Sequence, residues 1–454
     1  MINSRDLSDL AQGIFELRCT SILLWRSGAK RNEGSYGPGY IRQTTTGELA
    51  LVMFIATQPP LLETIWDSLA SKKSGELFTS EDSYFLEVQD STGRRWTATR
   101  LHPQFSMCPS AEQNHWIAEA KISELHCATA PNRTHHISTL EIWYKCNLSF
   151  PFNKAIERTE TTGEKTLKKS IAIEAAEFNV LGYTFFVRHE SSYLIVLASK
   201  ESDILDLDIE LRINESMEFI LGRPLAWTAV RKREAREWSC LVTGAPDIIE
   251  AGRMQLPVAF KVPFKAECDA ALNLFSLFLQ KISSKDDVQI PNLAVAVKCA
   301  REGSHGPLDA HALNVAIAIE AVLRTEFSET GKPGATFVAD LAKVTKEIET
   351  MEISPETKER LRGRISSMAE TSAKSRLLTL KAQGLISQRD IKAWENIRHR
   401  SAHGNFVSGA DQEYINSYWQ TMTLFYRLIF AAIGYEGPYR DYGELGWPWR
   451  RLED

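Results

Sequence analysis

The spacing of apolar and polar positions changes near residue 265. Before it, apolar residues alternate with polar ones in short runs broken by Gly, Asp and Ser, the signature of half-buried strands and their turns. GYIRQTTTGELALVMFIAT (39–57) predicts two strands around Thr46-Gly47, and SYFLEVQDSTGRRWTATRL (83–101) two more around Asp90-Ser91-Thr92-Gly93. Segments 134–150, 183–199 and 205–213 (LDLDIELRI) continue the strand pattern, and a short helix over 215–222 ends at a glycine. After 265 the period becomes helical. The segment 268–282 places Ala271, Leu272, Phe275, Phe278, Leu279 and Ile282 on one face, and 308–327 does the same with Leu308, Ala312, Val315, Ile319, Val322 and Leu323. Further helices are predicted over 336–350, 354–382, 387–402 and 411–433, the 354–382 helix opening on Ser354-Pro355-Glu356-Thr357, a capping residue followed by proline and acid. The segment 283–307 fits strand or helix. The expected fold class is α+β multidomain: a β-rich domain over 1–265, then an all-α bundle over 266–454.

The length of 454 residues accommodates two or three such domains. A 43% hydrophobic and 24% charged chain is ordinary for a globular protein. The net charge of −5 argues against coating nucleic acid through bulk charge, while leaving room for a local basic cleft. The seven cysteines, at 19, 108, 127, 146, 240, 268 and 299, never stand at CxxC spacing, so neither a metal site nor a disulfide framework is expected. With no secretory signal pattern and no run of eighteen apolar residues, the expectation is a cytoplasmic protein that meets no membrane. The glycosylation-type triplets at Asn132, Asn147 and Asn214 are then chance matches.

The stretch DIKAWENIRHRSAHGNF (390–406) carries the chemistry. It starts as an amphipathic helix with Ile391, Trp394 and Ile397 on one side, then presents Arg398, His399, Arg400 and His403 before Gly404, which is suited to ending the helix. Cutting RNA without a metal needs a base for the 2′-OH, an acid for the leaving oxygen and a cation for the phosphate. Histidine titrates near neutrality, and arginine holds phosphate oxygens with a planar fork. Arg398 and His403 are separated by about 140° on an ideal helix, so they converge only where the helix ends or where a second chain contributes its own pair. A two-fold dimer would supply two histidines to one cleft. The other reading of the pair is two helix-end cations on terminal carbonyls. Glu320, set in the apolar run VAIAIEAVL, has to face a polar cleft or pair with a cation. Asn396, His399 and Arg400 are either a solvated helix face or supporting RNA contacts.

This segment resembles the R-x4-6-H motif of the HEPN superfamily, many of whose members are ribonucleases of toxin–antitoxin and antiphage systems. Ala318-Ile319-Glu320-Ala321 is similar to the early HEPN helix, in which a polar or acidic residue faces the active site, and YEGPYRDYGELGWP (435–448) resembles the end of ApeA-like HEPN proteins. PGYIRQTTTGELAL (38–51) and FILGRPLAW (219–227) resemble the N-terminal domain paired with that HEPN type. The resemblance implies an endoribonuclease of the abortive-infection kind with no cofactor and no metal. It further implies a homodimeric site of Arg398, His403 and Glu320, and a phage-derived trigger sensed by the first domain. His399 departs from the asparagine that often follows the arginine. Asn405 departs from the tyrosine that partner nucleotidyltransferases modify, so that regulation is not expected.

Elsewhere, the basic run from Arg223 to Arg236 between Trp227 and Trp238 reads as a solvated turn before a nucleic-acid surface. The cations of 354–382 read as an exposed charged helix. His135-His136 has no ligand partner at usable spacing, and neither G-x-S-x-G nor a phosphate-binding glycine loop is present. The alternatives to a ribonuclease are a non-catalytic HEPN-like dimerisation scaffold, and a ligand sensor whose β-domain carries an aromatic-lined groove.

Overall fold

The computed structural model describes residues 2–55, 82–108, 115–130, 136–145, 149–162, 165–190, 193–244, 254–261, 264–283, 292–402 and 412–453. A large β-rich region is followed by a helical region, an α+β multidomain architecture. The chain divides into two compact units: 1–211 with 225–249, and 212–224 with 250–454.

The first unit holds one antiparallel sheet of fifteen strands among the described residues. Both predicted hairpins are present: Ser35–Gln43 pairs with Leu49–Ile55, and Tyr84–Asp90 with Arg95–Leu101. The sheet cannot be flat. His115–Ile122 and Leu125–Thr129 are separated in the strand order by five intervening strands, yet joined by only Ser123 and Glu124. Six strand spacings would span roughly 29 Å, whereas three peptide links reach at most about 11 Å, so the sheet rolls back on itself. Helix α1 (Ser4–Gln12), for which the strand pattern gave no warning, is closed at its start by a reciprocal Asn3–Asp6 capping box. Its Leu7 and Leu10 join the same buried cluster as Trp96, Ala118, Trp143 and Ile195 from widely separated strands. The Tyr193 hydroxyl donates to Leu7 O at 3.1 Å.

The segment 205–213 is corrected from strand to helix. Its L-D-L-D-I-E-L-R-I alternation imitates a strand, but burial follows a period of four. Leu205, Ile209, Ile213 and Met217 are buried, while Leu207 and Leu211 are 76% and 43% exposed. Turn hydrogen bonds from Ile209 N and Leu211 N back to Asp206 O and Asp208 O start helix α2 (Ile209–Leu221), which covers the predicted 215–222 helix. The basic run is also corrected. Most of it is the strand Trp227–Arg233, where Arg231 pairs with Glu141 and Lys232 with Glu210, while Arg236 is exposed in the turn that follows.

The second unit contains α3 (Lys265–Ser283), α4 (Asn292–Gly303), α5 (Leu308–Glu326), α6 (Ala335–Thr350), α7 (Pro355–Ala369), α8 (Ala373–Ala382), α9 (Gln388–Ala402) and α10 (Gln412–Ile433). The ambiguous 283–307 segment thus yields helix α4. The single helix expected over 354–382 is two, because Ser372 is extended and its Oγ accepts from Ser375 N, restarting the helix as a cap. Helix α10 is buried along most of its length, Tyr435, Tyr439 and Tyr442 of the tail are buried, and the tail pairs Tyr439–Arg440 with Trp449–Arg450 in a two-stranded clasp.

Candidate functional site

Helix α9 begins with a reciprocal cap: Asp390 N donates to Ser387 Oγ at 3.2 Å and Ser387 N to Asp390 Oδ2 at 2.7 Å. Asp390 is fully buried and also accepts from Gln420 Nε2 on α10, with Arg427 Nη1 3.9 Å from its Oδ2. This fixes both the start and the rotation of α9. Ile391, Trp394 and Ile397 are buried as predicted.

The rotation brings Arg398 to α5. Trp394 Nε1 donates to Ala316 O at 3.4 Å, and one turn further along both helices Arg398 Nε donates to Glu320 Oε1 at 2.5 Å. Both contacts advance by four residues in the same sense, so α5 and α9 run parallel here. The Arg398 and Glu320 side chains are 41% and 34% exposed, leaving the pair open to an incoming anion. Glu320 therefore meets a cation, one of the two arrangements its apolar setting left open.

The remaining sequence candidates divide. Asn396 and His399 lie on a different face of α9 from Arg398, at rotations of about 200° and 100° from it. They line a cleft of about 410 Å³ between α9 and α10, with Arg389, Lys392, Asn416 and Ser417. Asn396 Nδ2 donates to Ser417 Oγ at 3.0 Å, tying the two helices across it. Glu395 and Glu413 also line the cleft, and Glu395 is paired with Lys374 at 2.6 Å. Arg400 is half-buried near the helix end. His403 and Asn405 lie outside the described residues, so Arg398 and Glu320 are the part of the candidate triad whose geometry is on view.

Sequence reading missed two further buried polar groups of the second unit. His311 on α5 is buried and its Nδ1 lies 2.9 Å from the Tyr418 hydroxyl of α10, while its Nε2 is buried without a partner. Burial pushes the His311 pKa down to about 4, keeping the ring neutral. Asp441, in the tail, accepts from Thr423 Oγ1 at 3.2 Å and Gly443 N at 2.9 Å; burial nevertheless raises its pKa. The Ser387-x-x-Asp390 spacing was the one available signal for the cap. Nothing in the sequence marks Asn416, Ser417 or Gln420 as neighbours of α9.

In the first unit, a cleft of about 310 Å³ is lined by Ser21, Leu23, Arg31, Tyr36, Glu87 and Arg95, with Arg31 paired to Glu87 at 2.6 Å. Tyr36 is the aromatic of its lining. Among the described residues no helix is long and apolar enough to cross a membrane. The sequence matches no protein-family model, and the chain matches no curated protein and no solved structure.

Proposed function

We propose that the chain is an endoribonuclease of HEPN type, acting without a metal in an antiphage, abortive-infection response in the cytoplasm. The observation that carries this reading is the half-exposed Arg398–Glu320 pair between α5 and α9, beside a polar cleft on the same helix. Glu320 holds the guanidinium at the end of the buried stripe, and an incoming phosphate would take up its exposed side. Arg398 would then stabilise the charge that develops on the non-bridging phosphate oxygens as the 2′-OH attacks. His403 would move the protons, as base towards the 2′-OH or acid towards the leaving oxygen. A second copy of the chain would supply the other histidine. The product would carry a 2′,3′-cyclic phosphate. The β-rich unit would sense a phage-derived trigger, a role that rests on the resemblance alone.

A second reading has its own observation. The α6–α7 segment exposes Phe337, Val338, Val344, Leu361 and Met368, which suits a dimerisation scaffold in which Arg398–Glu320 is only a structural ion pair. The experiment compares the full chain with its His403→Ala variant on total RNA under the activating challenge. New cuts ending in cyclic phosphate, persisting under chelation and confined to the unsubstituted chain, support the ribonuclease. Identical RNA profiles from two folded proteins, with activation demonstrated, support the scaffold.

A further inference from the structure

We propose that the cleft between α9 and α10 takes one unpaired nucleobase of the RNA, beside the phosphate that meets Arg398, and so selects where the chain is cut. This rests on the ribonuclease reading and adds a base-reading subsite to it.

The first argument is the chemistry of the lining. A groove for phosphate alone needs cations and gains nothing from carboxylates, yet Glu395 and Glu413 stand in this wall with Arg389 and Lys392. Mixed charge with amides and a hydroxyl fits a neutral ring that carries both donors and acceptors on its edge. Asn396 and Asn416 provide both kinds of group. Asn396 gives its amide nitrogen to Ser417, and Asn416 Oδ1 accepts from Gln412 Nε2 at 2.9 Å. Among the described residues this leaves one amide oxygen and one amide nitrogen, Asn396 Oδ1 and Asn416 Nδ2, without a hydrogen-bond partner. The exposed His399 ring offers a flat face for stacking, a use of histidine common in single-stranded RNA sites. The cleft volume of about 410 Å³ falls within the range of sites that hold small ring-bearing ligands.

The second argument is rigidity. The groups that would read the base are held before it arrives: Asn396 by Ser417, Asn416 by Gln412, and the underlying Gln420 by buried Asp390. A base would then bind at little ordering cost. The third is placement. Asn396, Arg398 and His399 lie within one turn of one helix, facing two directions. A single strand crossing the end of α9 would therefore present a phosphate to α5 and an adjacent base to α10.

The test has two arms. In the first, the full chain carrying His403→Ala is titrated with 2′-O-methyl pentamers of A, C, G or U, which have no free 2′-OH to attack. One base should bind about tenfold more tightly than the weakest, and adding Asn416→Ala should erase that difference. Equal affinities for all four, or an order that Asn416→Ala leaves intact, overturn the subsite. In the second arm, the active chain cuts a randomised RNA pool and the ends are sequenced. A base preference beside the cut should appear and flatten in Asn416→Ala and in Asn396→Asp; cutting with no preference, or with one that both variants keep, overturns the proposal. Failure of the active chain to cut at all removes the ribonuclease reading, while the binding arm still decides whether the cleft reads a base.

Discussion

Arg398 and Glu320 meet across two parallel helices, Nε to Oε1 at 2.5 Å, one turn beyond the contact of Trp394 with Ala316. Because both side chains are more than a third exposed, the pair contributes little to stability, within about 1 kcal/mol. Arg398→Ala should therefore fold normally, which makes its activity interpretable. The expected outcome is a loss of RNA cutting by at least roughly a hundredfold. Arg398→Lys keeps the charge but not the fork, and should recover only part of the rate. A thermal melt alongside the rate assay checks both. An Arg398→Ala protein that melts normally and cuts at the original rate would remove Arg398 from the chemistry.

Asp90 shows the opposite balance, an acid buried and fully engaged. Its burial opposes ionisation, but hydrogen bonds from Thr92, Trp96 and Arg94 overcome this and bring its pKa down to about 2. Thr92 N and Arg94 N also bind Oδ1, at 2.9 Å and 3.0 Å, shaping the hairpin turn, and Arg94 goes on to pair with Asp6 of α1 at 2.7 Å. A carboxylate with a depressed pKa stabilises the fold above its unfolded value of 3.8, and that stability is lost as the pH falls towards 2. Asp90→Ala should cost about 1–3 kcal/mol, since it leaves the buried Trp96 Nε1 and the turn N–H groups without their acceptor while Arg94 keeps Asp6. Urea unfolding of the two proteins, followed by exchange of the sheet amides, measures it.

Much of the architecture was legible because burial and spacing agreed. Both hairpins, the switch to helix and the Ile391–Trp394–Ile397 stripe follow directly from apolar period. The LDLDIELRI segment misled because its strict alternation satisfies a strand while Leu205, Ile209 and Ile213 also stand at helical spacing, and only the burial of every fourth residue settles it. The restart at Ser372 was hidden because α7 is polar and largely exposed, leaving no buried apolar phase to break before Leu377 and Leu380 of α8. At the site, the apolar surroundings of Glu320 called for a polar cleft or a cation, and the motif named Arg398. The separation of Asn396 and His399 onto another face depended on how far α9 is rotated. That is set by Asp390 at the start of α9 and by Gln420 and Arg427, two polar residues distant in sequence.

The second unit contains another polar contact that the sequence did not reveal. Arg301 of α4 and Glu218 of α2 are 6% and 9% exposed and form an ion pair. Removing one partner leaves an uncompensated buried charge, so Glu218→Ala should cost about 3–5 kcal/mol, whereas Glu218→Leu with Arg301→Met should cost clearly less. Denaturant midpoints for the three proteins decide it. A double variant as damaged as the single would show that the pair supplies packing rather than charge balance.

His311 predicts how the helical unit responds to mild acid. Its ring is buried against Tyr418, with one nitrogen bonded and the other without a partner, so protonation would place an uncompensated cation inside the bundle. The folded pKa of about 4 lies below the ordinary value of 6.5. A group depressed in this way leaves stability intact above the unfolded pKa, and stability falls as the pH drops from 6.5 towards 4, by up to about 3 kcal/mol. Below 4 His311 is protonated in both states and the slope from this group ends, which separates it from Asp90, whose loss begins there. Asp441 acts with the opposite sign, because its raised pKa favours the fold in acid. The clean comparison is therefore His311→Gln against the unsubstituted chain at each pH. The variant starts less stable at pH 7 by the cost of repacking, and its stability should then change less between pH 6.5 and 4. Hydrogen exchange of α5 and α10 amides across that range reads the helical unit alone. Parallel pH curves for the two proteins would mean that the bundle accommodates a protonated His311, and that the unpartnered nitrogen finds an acceptor in solution.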